Sequence, residues 1–172
     1  TISNLNINFG LLIDQLSLIW LLFVTGIGSL IHLYSISYMH DDENMHKFFA
    51  YLNLFVFFMI TLVMGSNLLV MFIGWEGVGL CSYLLIGFWH NNQDYNDAAK
   101  KAFIMNRIGD LGLLIGIFIL GILFSTIDFS TLKTTIAASS NLNMYWIGIA
   151  AFALFIGACG KSAQIPLYTW LP

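Results

Sequence analysis

The chain has 172 residues, 59% of them apolar and only 9% charged, against roughly 25% charged in soluble domains. Mean hydropathy is +0.84 and the formal net charge is −3. Six Lys and Arg with nine Asp and Glu cannot cover so many Phe, Leu and Ile side chains. A water-soluble fold would expose large apolar patches, so a soluble globular domain, a disordered tail and a disulfide-framed secreted module are excluded.

Helices that cross a bilayer need about 20 mainly apolar residues, and five candidates follow one another along the chain. The first, Leu11–Met39, carries no Asp, Glu, Lys or Arg after Asp14. The second is Phe48–Gly65. The third is Leu68–Trp89, with the single charge Glu76. The fourth is Ala102–Phe124, with Arg107 and Asp110 in its first half. The fifth begins near Asn143 and runs past Lys161 to the chain end.

The separators have turn chemistry. His40-Asp41-Asp42-Glu43-Asn44 is a polar break, Gly65-Ser66-Asn67 a tight turn, and residues 90–101 a charged loop. Residues 125–142 are mixed; the spacing of Ile127, Phe129, Leu132 and Ile136 predicts a short amphipathic stretch at the interface. No segment sustains the period-two alternation of a β-barrel strand. The expected fold class is all-α: a polytopic transmembrane helix bundle of about five spans with one discontinuous helix. Residues 1–172 read as a single transmembrane domain, opening on Thr1 and stopping at Pro172 as an internal piece of a longer membrane protein would.

Lys47, Lys100 and Lys101 lie in the loops after the first and third spans, and Lys133 alone on the opposite side. This excess places the former loops on the cytoplasmic or matrix side. Tyr38, Trp89, Tyr145 and Trp146 sit near predicted span ends, as an aromatic belt would. The scattered basic residues make no stripe, so nucleic acid is not an expected partner; the lipid bilayer is. Cys81 and Cys159 lie in apolar runs and read as small buried residues. No His-Cys-carboxylate spacing suggests a metal, no ligand set suggests haem or an iron–sulfur cluster, and the glycines around Glu76 lack the strand context of a nucleotide loop.

The ionisable residues inside the spans carry the functional signal, because each costs about 2.5–3.5 kcal/mol at the bilayer centre on insertion scales. Glu76 lies about 14 Å beyond Asn67 along a helix, near the midplane. Gly74, Gly77 and Cys81 around it let another helix approach closely. The alternative is a protonated or purely fastening Glu. Arg107 and Asp110, three residues apart, share a face and can form a pair within one helix, structural or functional. Asp110 lies about 14 Å beyond Lys101, a depth like that of Glu76.

Lys161 stands between Gly157-Ala158-Cys159-Gly160 and Ser162-Ala163-Gln164-Ile165-Pro166. Pro166 removes a backbone donor and clashes with the preceding turn, so a helix break is expected around Lys161. Broken helices at membrane depth mark ion sites in transporters. The competing reading ends the helix at Lys161 and lets the amine snorkel to the headgroups. Asp14 reads as a helix-start residue.

Residues 48–55 (FFAYLNLF), Gly74–Trp89 (GWEGVGLCSYLLIGFW), Lys101–Gly112 (KAFIMNRIGDLG) and Gly160–Pro172 (GKSAQIPLYTWLP) resemble, in order, the early-middle part of chain 5 of proton-pumping NADH:quinone oxidoreductase, respiratory complex I. The resemblance is weakest in residues 125–142. It implies an antiporter-like membrane-arm subunit, of which this chain is an incomplete first inverted repeat. Glu76 then matches the family's essential carboxylate. Lys161 matches the lysine on its discontinuous helix, and Arg107 with Asp110 its charged pair. The family is thought to alternate Glu–Lys pairing with Lys deprotonation. NADH, flavin, iron–sulfur clusters and quinone are expected in partner subunits, and the other membrane-arm subunits are the expected partners. The location implied is a bacterial plasma membrane or a mitochondrial inner membrane. A multisubunit cation/proton antiporter, a related family, is the alternative. A plain helical scaffold has no use for buried Glu76, Asp110 and Lys161.

Overall fold

The computed structural model describes residues 8–139 and 143–171. Thr1, the last residues of the 125–142 linker and Pro172 of the final motif lie outside them. The described residues form α1 (Gln15–Tyr38), α2 (Met45–Met64), α3 (Leu68–Ile86), α4 (Gln93–Phe124), α5 (Phe129–Ala138) and α6 (Met144–Lys161). All but α5 are long and apolar enough to cross a membrane, which makes five spans. The all-α class and the five spans are those expected; the short α5 occupies the predicted amphipathic stretch.

Polar side chains set where the helices begin. Asp14 accepts from the Ser17 amide while the Ser17 hydroxyl accepts from the Asp14 amide, a reciprocal cap on α1. Asn67 accepts from the amides of Leu69 and Val70 and so starts α3. α4 starts nine residues before the expected span, because Asn92 caps it. The Gln93–Asp97 and Asp97–Lys100 contacts then support turns outside the hydrocarbon. At 32 residues, α4 is about 48 Å long against a core of about 30 Å.

Packing inverts the pattern of a soluble protein. The outer face of α4 is a stripe of exposed large apolar side chains, Ile104, Ile108, Leu111, Ile115, Phe118 and Ile122. Its inner face is buried and carries Asn106, Gly109, Asp110, Gly112 and Gly116. That inner face packs most extensively on α6. A Cβ at Gly109 would stand 3.0 Å from the Gly160 Cα, one at Gly112 2.8 Å from Ile156, and one at Gly157 2.6 Å from Leu113. Small residues on both helices therefore set the α4–α6 spacing. α3 meets α2 the same way: Gly74 lies against the Leu62 backbone and Gly77 against the Phe58 ring. α1 touches the rest through α2 and leaves most of its apolar surface exposed.

Each end of the bundle is tied separately. At one end, Ser66 N–H donates to Gly10 O at 3.1 Å, Leu68 N–H to Ile127 O at 3.0 Å and Phe129 N–H to Ser66 O at 3.2 Å. Below that seam Leu68, Leu113, Ile117, Ile127 and Leu132 form a buried apolar cluster. At the other end the Trp89 indole N–H donates to Asp42 Oδ2 at 2.8 Å. This bond, with the Asn44 amide, holds the Asp42 carboxyl below the usual aspartate range.

Gly109→Val should destabilise the chain by about 1–3 kcal/mol, because the α4–α6 seam has no room for it. Gly148→Val, where an added Cβ meets nothing within 4 Å, should be nearly neutral; thermal unfolding of the purified full-length protein reads both. The Trp89 bond favours the Asp42 carboxylate, so its contribution is present above the unfolded aspartate value of about 3.9. It is lost as pH falls through the lower folded value. Amide exchange across residues 40–44, corrected for intrinsic rate, should rise in that acid range, and Asp42→Asn should remove the step.

Candidate functional site

Trp75 and Glu76 are consecutive on α3, and Arg107 and Asp110 lie one turn apart on α4. The contacts between them run crosswise. Arg107 makes an ion pair with Glu76, and the Trp75 indole N–H donates to Asp110 Oδ1 at 2.5 Å. The Arg107 guanidinium also lies 4.6 Å from the centre of the Phe103 ring. Arg107 therefore does not close on Asp110 within α4, as the i, i+3 spacing suggested. Asp110 is 3% exposed and points into the helix seam, whereas the Arg107 side chain stays 41% exposed and reaches along α3 to the glutamate.

The third element is the end of α6. Its last residue is Lys161, and the chain beyond closes the helix with its own groups. Ser162 N–H donates to Ala158 O, Gln164 N–H to Cys159 O at 2.9 Å, and the Trp170 indole N–H to Gly160 O at 3.0 Å. Ala163 sits in the left-handed region at φ 50°. With Gln164 N–H on Cys159 O as the 6→1 bond and Ala163 N–H on Gly160 O as the 5→2 bond, this is a Schellman ending. The break thus comes from Ser162 and Ala163, ahead of Pro166, which lies in the turns that follow. No helix resumes among the described residues after Lys161.

Lys161 ends its helix, yet its amine does not run out to the headgroups. Nζ is buried, without a hydrogen-bond partner among the described residues. It lies 5.8 Å from the Trp75 ring centre. A Cβ on Gly79 would stand 2.6 Å from it, so the missing side chain there provides its space. Asp110, bound to the same indole, is the acid on that side of the seam. The negative end of the α6 dipole lies at its root. Direct pairing of Glu76 with Lys161 is not present in this arrangement: Arg107 holds Glu76, and Asp110 is the carboxylate near the amine.

Trp75 and Gly79 were not singled out from the sequence. They are four residues apart on the face of α3 that meets Lys161, a spacing legible once the neighbour is known. The glycines that were singled out, Gly74 and Gly77, face α2 instead. Among the described residues no three His, Cys, Asp or Glu side chains converge as metal ligands would. Cys81 and Cys159 are free and buried.

Five apolar spans with two acids, an arginine and a lysine set between three of them define a membrane helix bundle with ionisable groups in its seams. Residues 65–172 match the family described as NADH:quinone oxidoreductase/Mrp antiporter, transmembrane, and residues 1–49 match NADH-ubiquinone oxidoreductase (complex I), chain 5 N-terminus. The chain belongs to this NADH:quinone oxidoreductase/Mrp antiporter family of integral membrane proteins. It is 47% identical to NADH-quinone oxidoreductase subunit L of Mycobacterium tuberculosis over 98% of its length and 26% of that protein. It is 49% identical to NADH-ubiquinone oxidoreductase chain 5 of Marchantia polymorpha, over 95% of this chain and 26% of that one. The chain thus spans about a quarter of the length of these curated relatives. Its fold matches a chain of the Mrp complex from Dietzia sp. DQ12-45-1b with a TM-score of 0.84 and 26% identity, covering 92% of this chain and 17% of that one.

Trp75→Phe keeps an aromatic face near Lys161 but removes the donor to buried Asp110. It should cost about 1–3 kcal/mol in thermal unfolding of the full-length protein. Asp110→Asn in the same background should recover part of that loss, since a neutral amide is less costly to bury than a carboxylate short of a donor.

Proposed function

We propose that this chain is the front part of a proton-translocating membrane subunit of an NADH:quinone oxidoreductase, in which Glu76, Arg107, Asp110 and Lys161 carry the proton step. The observation that carries the reading is a lysine amine buried at a helix end, beside one acid and one residue layer from a second. An adjacent carboxylate favours a protonated amine, and withdrawing that charge favours the neutral one. Arg107 is placed to do the withdrawing. It pairs with Glu76 on the neighbouring helix, and it shares a face with Asp110 on its own. A swing of the guanidinium from Glu76 to Asp110 neutralises the acid beside Lys161 and releases the proton; the return swing restores the site for reloading.

In this reading the chain is the first inverted repeat, incomplete, of a longer antiporter-like subunit. The membrane-arm neighbours are further subunits of the same complex. NADH oxidation and quinone reduction, with flavin and iron–sulfur clusters, belong to other subunits. The break at Ser162–Ala163, with Pro166 in the following turns, keeps α6 from continuing past the amine.

A second reading, a large subunit of a multisubunit cation/proton antiporter, is supported by the likeness to the Mrp complex. Such a protein exchanges ions without NADH or quinone. Deletion of the full-length gene separates the two: loss of NADH-driven, quinone-site-inhibitor-sensitive acidification of inverted membrane vesicles supports the first. Loss of cation-driven proton exchange alone supports the second.

Glu76→Gln and Lys161→Ala should each reduce NADH-driven proton pumping by at least about tenfold, the effect of roughly 1.4 kcal/mol or more on the transfer step. Assembly, read by native gel electrophoresis, should be largely intact. Normal pumping by an assembled complex carrying either change refutes the assignment.

A further inference from the structure

One buried polar group in this seam has no place in the proton step as described. Asn106 is 6% exposed. Its amide N–H donates to Ala102 O at 2.8 Å, but its Oδ1 is buried without a hydrogen-bond partner among the described residues, as is Lys161 Nζ. An amide oxygen offers two lone pairs and an ammonium three donors. Leaving either unmatched in a dry seam is costly, so complementary orphans in one layer call for an explanation.

The helix geometry puts these two groups at one level. The Trp75–Asp110 bond fixes the register of α3 against α4. α3 and α4 are antiparallel, so one turn toward the Trp89 end leads from Trp75 to Gly79 and from Asp110 to Asn106. Gly79 is where the amine of Lys161 rests. The root of the lysine lies there too: Gly160 packs on Gly109, and a Cβ on Gly160 would stand 3.7 Å from the Asn106 carbonyl oxygen.

We infer that Asn106 is a positioning residue for Lys161: its Oδ1, not bonded to the amine in this arrangement, accepts from the ammonium through one buried water or after a turn of the lysine side chain. The lysine then has two resting places on α4, one turn apart. One is the carboxylate of Asp110, whose charge Arg107 can cancel. The other is the neutral oxygen of Asn106, which keeps the ammonium solvated while it moves away from Asp110. The inference deepens the proton-carrying role proposed for Lys161 and rests on that reading.

The test compares Asn106→Leu, similar in size but without an acceptor, with Asn106→Ser. The serine hydroxyl can donate to Ala102 O and still accept from the amine. Both are placed in the full-length chain of the assembled complex, beside Lys161→Ala. NADH-driven proton pumping is measured in inverted membrane vesicles and normalised to assembled complex on native gels. The expected result is a loss of about tenfold for Asn106→Leu, as for a lost hydrogen bond to a charged group, with Asn106→Ser within about twofold of the parent. Should the leucine variant fail to assemble, Asn106→Ala takes its place with the same expectation. Pumping at the parent level in the acceptor-free variant overturns the inference. So does an equal loss with serine, which makes Asn106 a packing residue only. The Lys161→Ala arm separates the two claims: if it pumps normally, the proton-carrying role of Lys161 itself fails.

Discussion

Close contact between α4 and α6 is the constraint from which the rest follows. Gly109 against Gly160 and Leu113 against Gly157 bring two backbones together with almost no side chain between them. At that separation lipid is excluded and the groups in the seam have only one another for partners. Asp110 is buried to 3% exposure as a result, and the amine of Lys161 is turned inward toward α3. Larger residues along this seam would part the helices, and the same acid and amine would then face hydrocarbon or water, where neither keeps a fixed partner.

Trp75 joins that seam to the second one. Its indole nitrogen takes Asp110, its ring lies near Lys161, and the next residue is Glu76, bound to Arg107. Displacing Arg107 therefore disturbs the acid it leaves and the acid it approaches, while the tryptophan keeps Asp110 in place. With that donor in place, the proposed swing of Arg107 would leave Asp110 held.

Much of this was legible in the chain itself. The spans, the polar breaks and the charges within them follow from hydropathy and from the cost of a charge in hydrocarbon; the structure has α2 and α3 within a few residues of the expected limits, and α6 starts where expected but stops at Lys161. Asp14 caps α1 as its position suggested. The pairing inside the charged layer was not legible. Spacing gives which residues share a helix face, so Arg107 and Asp110 read as a pair; whether a guanidinium turns along its own helix or across to the next depends on what the neighbour presents. The helix ends at Lys161, where a break was expected, but the residues that end it were not legible. Proline is the obvious breaker, whereas the αL residue of this ending is Ala163 and not the glycine that usually marks it. Gly79 carried no signal in isolation, because a glycine in a long apolar helix acquires meaning only from the amine that rests against it.

The four charged groups are two acids and two bases, but the two bases are not equivalent. A guanidinium keeps its proton under any physiological condition and binds carboxylates through a planar fork. Arg107 can therefore act only by where it is. An ammonium on a flexible four-carbon stem gives up its proton readily when buried, so Lys161 can act by what it holds. Exchanging the two would place the fixed charge at the buried end of α6 and the exchangeable one at the more exposed position on α4. The present order keeps the amine buried and the permanent charge at a more exposed position. In the proposed step, moving the fixed charge sideways therefore acts on a proton that is held inside the helix seam.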